Sequence, residues 1–479
     1  MLDQLKELEQ QARELEPEEP QRRQLSRQVE AYAEAFYREL PEAKTYIPDY
    51  QTAGEVLDTE FDEEPADLDP ILKELRKTTD RPGINTASGG HIGYIPGGGL
   101  FTSALGDYLA AVTNRYAGVH YTSPGAVNIE RRLIRWMADL TGYPDTAGGY
   151  LASGGSIANL TAIITAREAV GLHPVDYEKT VVYVSGQTHH CIDRALRIAG
   201  MAVATQRFIP VDEKFRMDTD ALEEAIKEDM RAGLKPWMIV GTAGTTDTGA
   251  VDPLRRQGDL AEKFGLWFHV DAAYGGFFLL VDELKPMFDG IQLSDSVVLD
   301  PHKGLFLPYG IGAVILKDER LMAGAYSYEA SYMQDIQERQ TVLSPADTSP
   351  ELSKHFRGLR MWLPLKLHGI SAFRSALKEK YLLARYAREK LAAIKDIETG
   401  PEPDLSVTLF RYLPKDGDPE ECNQRLHQYI LDDGRVYLSS TRIDGKYMLR
   451  VAVLSVRTHI NTIEVLSEVV KQGIAHIRQ

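Results

Sequence analysis

Between residues 148 and 317 short apolar segments keep returning, each followed by a stretch with helical periodicity. TVVYVS (180–185), WMIVGT (237–242), LWFHVD (266–271), SVVL (296–299) and GIGAVILK (310–317) lack the strict apolar–polar alternation of a half-solvated strand. A strand wetted on one face alternates with a period of two, whereas a continuous apolar run needs cover on both faces. The helical segments between the runs supply that cover. This alternation predicts an α/β fold with a mainly parallel sheet packed between helices. Ligands of such sheets gather at the carboxyl ends of the strands. His189, Thr245, Thr246, Asp271 and Lys303 all fall at that edge.

Two of these residues carry the chemistry. LWFHVDAAYGG delivers Asp271 to a strand end, and SVVLDPHKG delivers His302 and Lys303 to a later one. The separation is roughly 30 residues, the length of a βα unit with its return strand. Taken singly, a strand-end aspartate is ordinarily a helix cap or an ion-pair partner, and a lysine there is ordinarily solvated. Held together at neighbouring strand ends, an acid and a lysine suit pyridoxal phosphate. The lysine forms a Schiff base with its aldehyde, and the carboxylate keeps the pyridine nitrogen protonated.

Composition excludes several alternatives. The formal charge of −16 argues against nonspecific binding to nucleic acid or an anionic membrane. No apolar run reaches the length that spans a bilayer. MLDQLKELEQQ lacks a basic region followed by an apolar stretch, so no leader is expected. The two cysteines, Cys191 and Cys422, are far apart and form neither a disulfide framework nor a metal-ligand cluster. A cytoplasmic protein without a metal is the expectation. A nicotinamide dehydrogenase is disfavoured, because no G-x-G-x-x-G opens a βαβ unit.

The remaining chain divides into three. Residues 1–84 read as a helical segment, two helices broken near EPEEP with Leu2, Leu5 and Leu8 in a stripe that needs a partner surface. Residues 85–350 form the large domain. Its TASGGHIGYIPGGGL sets His91, Tyr94, Ile95 and Pro96 among glycines, either a plain surface loop or the wall of a pocket. YLASGGSIANLTAIITARE enters a helix through a Ser-Gly-Gly-Ser turn, where free backbone N–H groups make an anion site. Residues 326–350 are polar and read as a loop or lid. Residues 351–479 form a smaller α+β domain, with a helix from Leu352, a long helix at about 371–394 and a hairpin through Asp444-Gly445.

The ordered set SGGSIAN, SGQTHH, GTAGTT, HVDAAYGGF and DPHKG resembles the group II PLP-dependent amino acid decarboxylases, which include aromatic L-amino acid and glutamate decarboxylases. The resemblance runs from about Gly93 to Leu454 and implies PLP fold type I, the aspartate aminotransferase type. Sphingosine-phosphate lyases share HVDA and HK, so the fold follows more firmly than the reaction. Residue by residue, the resemblance makes Lys303 the Schiff-base lysine and Asp271 the partner of the pyridine nitrogen. Ala273 and His189 lie on the two ring faces, with His189 near the substrate carboxylate. Gly155, Ser156 and His302 hold the phosphate, Thr246 contacts the ring oxygen region, and Tyr94, Ile95 and Pro96 form a substrate wall that leans toward bulky or aromatic side chains. The expected reaction is decarboxylation of an L-amino acid to its amine by a homodimer with its site at the subunit interface. Two features depart from the family. LSPADTSPEL carries no tyrosine where the family's loop has one, and Tyr332 lies upstream. Members without that tyrosine divert to an aldehyde by oxidative deamination, so that reaction and carbon–carbon cleavage stay open. Asp300 stands where the family often has a neutral residue, and a carboxylate beside a phosphate must be turned away or paired.

Overall fold

The computed structural model describes residues 1–327 and 342–478. Tyr332 and most of the expected lid lie outside the described residues. The chain opens on helices α1 (Leu2–Ala12) and α2 (Glu19–Glu39), with the break at the predicted place. Neither helix buries a residue, and Leu2, Leu5 and Leu8 are more than half exposed. The segment after α2 returns to the body through a two-residue antiparallel pairing of Tyr46–Ile47 with Gly83–Ile84. Helix α3 (Phe101–Thr113) follows. It buries Ser103, Gly106 and Ala110, while Tyr108 and Val112 face outward.

The centre is a seven-stranded sheet of β1 (Gly148–Ala152), β2 (Thr180–Ser185), β3 (Thr205–Ile209), β4 (Lys235–Thr242), β5 (Trp267–Asp271), β6 (Ser296–Leu299) and β7 (Gly312–Leu316). The order is β1-β7-β6-β5-β4-β2-β3. Pairing is parallel from β6 through to β3, and β7 runs antiparallel to both of its neighbours. Successive residues of one strand enter different cores, as period two requires. Val181 and Tyr183 of β2 join the core under α4 (Pro124–Leu140), whereas Val182 and Val184 join the other. That second core lies under α5 (Gly155–Val170) and α6 (Cys191–Ile198). Helices α7 (Thr219–Arg231) and α8 (Leu254–Phe264) complete the first cover, α7 beginning at Asp218, whose side chain accepts from Asp220 N and Ala221 N.

Edge strand β3, TQRFI, has no apolar run, which is why periodicity does not disclose it. The helix expected from Leu352 begins at Gly358 instead, as α9 (Gly358–Ala392). It is broken at Gly369, whose φ of 70° and ψ of 160° are closed to other residues without strain. The second half of α9 packs with α10 (Pro419–Asp433) and α11 (Ile460–Ile477) on a small antiparallel sheet. That sheet contains β8 (Ile397–Thr399), β9 (Val407–Tyr412), β10 (Ser439–Ile443) and β11 (Lys446–Ala452), in the order β8-β9-β11-β10. The β10–β11 hairpin turns at Asp444 and Gly445, both at positive φ, as an Asp-Gly turn requires. Among the described residues no helix is long and apolar enough to cross a membrane.

Candidate active site

Asp271 is the last residue of β5, and the side chain is fixed from three directions. Its Oδ1 accepts from Ala273 N at 3.1 Å. Its Oδ2 accepts from Asn159 Nδ2 at 3.2 Å, with the Cys191 thiol 3.8 Å away. One strand over, β6 ends at Leu299, and the chain turns through Asp300 into a single helical turn, Pro301–Gly304. Lys303 N and Gly304 N both donate to Asp300 O, which closes this turn.

Asp300 is buried, and its Oδ2 lies 3.1 Å from Lys303 Nζ and 3.7 Å from His302 Nε2. Its Oδ1 has no hydrogen-bond partner among the described residues. The pairing answers the difficulty posed by a carboxylate at this position. Burial draws the Lys303 ammonium down, but Asp300 and then Asp271 outweigh it and hold the lysine above its ordinary range. His302 donates from Nδ1 to Ile311 O, and burial lowers its titration. Two glycines leave the Asp300 carboxyl its room. A Cβ on Gly155 would come within 2.8 Å of Oδ2, and one on Gly312 within 2.6 Å of Oδ1.

These groups line one cavity of about 320 Å3. The N-terminus of α5 enters it with Gly155 and Ser156, and its unpaired N–H groups and dipole favour an anion. His189, Thr246, Ala273, Asp271, His302 and Lys303 line it too. His189 Nδ1 accepts from Cys191 N at 3.2 Å, and burial lowers its titration. Of the positions expected at the site, Tyr94, Ile95 and Pro96 are not among the lining. Tyr94 is 54% exposed at a φ of 53°, its ring tilted against that of Tyr437 and its hydroxyl 3.1 Å from the Tyr437 hydroxyl, while Ile95 is buried in the main core.

Several contributors are given no role by the sequence pattern. Asn159, on the inner side of α5, reads as packing until β5 is laid against that helix. Arg450 of β11 is 2% exposed and ties the site to the small sheet. It donates to Thr246 O at 2.7 Å, Ser439 Oγ at 2.9 Å and Tyr94 O at 2.8 Å. Burial among these neutral oxygens pulls it down to about 10. Tyr274 bonds Ser406 Oγ at 2.6 Å and adds a second tie to the small sheet.

A strand-end acid, a lysine amine and an anion-binding helix start facing one cavity fit pyridoxal phosphate. Its pyridine nitrogen needs an acid, its aldehyde an amine, and its phosphate a positive helix end. The fold and the site together define a pyridoxal-phosphate enzyme of the aspartate aminotransferase type. The comparisons narrow this class. Residues 48–413 match the pyridoxal-dependent decarboxylase conserved domain. An aromatic-L-amino-acid decarboxylase of Bacillus atrophaeus is 34% identical over 372 residues, 77% of each chain. A phenylacetaldehyde synthase of Petunia hybrida is 31% identical over 417 residues, 81% of each chain. The crystal structure of Catharanthus roseus tryptophan decarboxylase in complex with L-tryptophan is similar with a TM-score of 0.89 at 25% identity, covering 96% of this chain and 99% of that one. The chain belongs to the pyridoxal-dependent decarboxylase family. Its cofactor is pyridoxal phosphate, and its reaction class is that of a carboxy-lyase.

Proposed function

We propose that the protein decarboxylates an aromatic L-amino acid to the corresponding amine and carbon dioxide. The observation that carries this reading is the convergence of Asp271, Lys303 and the α5 N-terminus on one cavity, and the aromatic preference rests on the names of the relatives. Bound there, pyridoxal phosphate supplies an electron sink for the pair left at Cα when the carboxyl group departs. Gly155, Ser156 and His302 would hold the phosphate. Asp271 would keep the pyridine nitrogen protonated, and Ala273 and His189 would enclose the ring. Lys303 Nζ would anchor the cofactor through its aldehyde, and Thr246 would contact it on its oxygen side. Tyr94, Ile95 and Pro96 would bear on the substrate only from the rim of the site. The residues around the cavity would orient the substrate and so select which Cα bond breaks.

A second reading is aldehyde formation by decarboxylation coupled to oxidative deamination, with dioxygen as the two-electron oxidant and carbon dioxide, ammonia and hydrogen peroxide as the other products. LSPADTSPEL, with no tyrosine, favours it, and so does the similarity to a phenylacetaldehyde synthase. We further propose a cytoplasmic homodimer. The dimer is supported by the exposed apolar residues of α3, with Tyr108 59% and Val112 63% exposed, and by the α1 stripe of Leu2, Leu5 and Leu8, which is exposed among the described residues. Gel filtration that finds an active monomer would oppose the dimer.

The deciding experiment incubates PLP-loaded protein with a panel of L-amino acids and identifies products by mass spectrometry. An aromatic amine with carbon dioxide supports the first reading, and an aldehyde with ammonia supports the second. No product from any aromatic amino acid overturns both. Borohydride should fix cofactor mass on the Lys303 peptide of the wild type and on no peptide of Lys303→Ala.

A further inference from the structure

Behind Asp271 lies a buried polar chain that the proposed reaction does not itself use. Trp267 Nε1 donates to Ser296 Oγ at 2.9 Å. Ser296 Oγ is 2.8 Å from His269 Nδ1, and His269 Nε2 is 2.7 Å from Asn159 Oδ1. Asn159 Nδ2 then donates to Asp271 Oδ2 at 3.2 Å. Asn159, His269 and Ser296 are completely buried, and Trp267 is 7% exposed. The chain crosses three elements, since Trp267, His269 and Asp271 lie on β5, Ser296 on β6 and Asn159 on α5.

The polarity of this chain is determined from its far end. An indole N–H can only donate, so Ser296 Oγ accepts there and has its own proton for His269 Nδ1. Burial lowers the His269 titration to about 4, so at neutral pH the ring carries one proton. With Nδ1 accepting, that proton is on Nε2, and it is donated to Asn159 Oδ1. The amide is then left with only one useful orientation, its NH2 toward Asp271. Reversed, its oxygen would face the carboxylate and His269 N–H would face an NH2 group, two repulsive contacts in a space that holds no competing donor among these residues.

We infer that Asn159 and His269 are positioning residues that fix the rotation of the Asp271 carboxylate, so that one of its lone pairs is held toward the pyridine nitrogen. The inference rests on the reading of the cavity as a pyridoxal phosphate site. Ala273 N fixes Oδ1, the chain fixes Oδ2, and a carboxylate held at both oxygens meets its cofactor without reorganising. A merely structural role would stabilise the core and leave the ring nitrogen unaffected.

The test reads the cofactor and not turnover. PLP labelled with 15N in the ring is bound to the wild type, Asn159→Leu, His269→Leu and His269→Gln, and the 15N shift and the PLP dissociation constant are measured. His269→Gln keeps an N–H donor near the place of Nε2. The expected result is a protonated ring nitrogen in the wild type and in His269→Gln. In both leucine variants the signal moves toward the unprotonated nitrogen, and PLP binding weakens about tenfold, the scale of one hydrogen bond to a charged group. Leucine variants with wild-type shift and affinity overturn the inference and leave the reading of the site intact. A wild type that binds no PLP overturns both. Should a leucine variant fail to fold, Asn159→Ser decides, because its short hydroxyl cannot span from His269 to Asp271, and an unchanged 15N shift in it is again an overturning result.

Discussion

Lys303 carries its ammonium beside two carboxylates, Asp300 at 3.1 Å and Asp271, and Asp300 raises it the more strongly. A lysine held above its ordinary range offers less uncharged amine at neutral pH, and only the uncharged amine attacks an aldehyde. Asp300→Asn removes the largest influence raising Lys303. The apoprotein should then take up PLP faster at pH 7, with its pH profile of uptake displaced to lower pH. Stopped-flow absorbance measures this, and slower uptake would mean that Asp300 assists the lysine rather than restraining it. A second buried pair has no such chemistry. Lys354 and Glu130 are almost fully buried and joined Nζ to Oε1, and Leu151 N also donates to that oxygen at 2.9 Å. Burial lowers the Lys354 titration. Lys354→Met strands the carboxylate, and urea unfolding should show a loss of about 3–5 kcal/mol.

Helix α9 performs two tasks that a straight helix could not. Its first half lies against α3, where Gly106 admits Leu359 O so closely that a Cβ would stand 2.4 Å from it, and Ser103 Oγ bonds Arg360 O at 2.5 Å. Its second half covers the small sheet. Gly369 makes the change of direction, and beyond its own stretch of helix no described atom lies within 4 Å of where its Cβ would be. The cost of Gly369→Ala is therefore backbone strain alone. A loss of about 1–3 kcal/mol in urea midpoint stability, with PLP affinity unchanged, is the expected outcome. The elements that sequence disclosed and those it hid differ in a regular way. β2, β5 and β6 are legible because both faces are buried, and the hairpin because Asp444-Gly445 names its turn. β3 escapes because an edge strand keeps exposed polar residues, and the start of α9 is displaced because Phe356 is buried without being helical.

At the scale of the molecule, buried titratable groups set the response to acid. His269 and His91 are both lowered to about 4 by burial, from an ordinary value of 6.5. Between those values the unfolded chain binds two protons that the native state refuses, so stability falls as pH drops through this window. Each histidine contributes roughly 3 kcal/mol once pH 4 is reached. Asp252 opposes them. Burial raises it to about 6 from 3.8, so the native state binds the extra proton there and gains stability as pH falls. Burial also lowers His189, His302, His355 and His427 and raises Asp295, Glu319 and Asp404, so the lowered histidines outnumber the raised carboxyl groups and the urea midpoint should be lower at pH 5 than at pH 7. A midpoint that rises on acidification would contradict this balance.

The sequence alone determined that a mainly parallel sheet lies between helices, that Asp271 and Lys303 stand at strand ends, and that a glycine-rich helix start is available to an anion. Burial on both faces, cap chemistry and turn chemistry are local, and local patterns are written in neighbouring residues. Only the tertiary structure decided that β5 lies between β4 and β6 and faces α5, which sets Asn159 on Asp271 across 112 residues. It also decided that Asp300 pairs with Lys303, that Arg450 reaches Thr246 from the small sheet, and that Tyr94 turns outward. Such contacts depend on strand order and helix placement, and no periodicity within one segment encodes which distant segment will be packed against it.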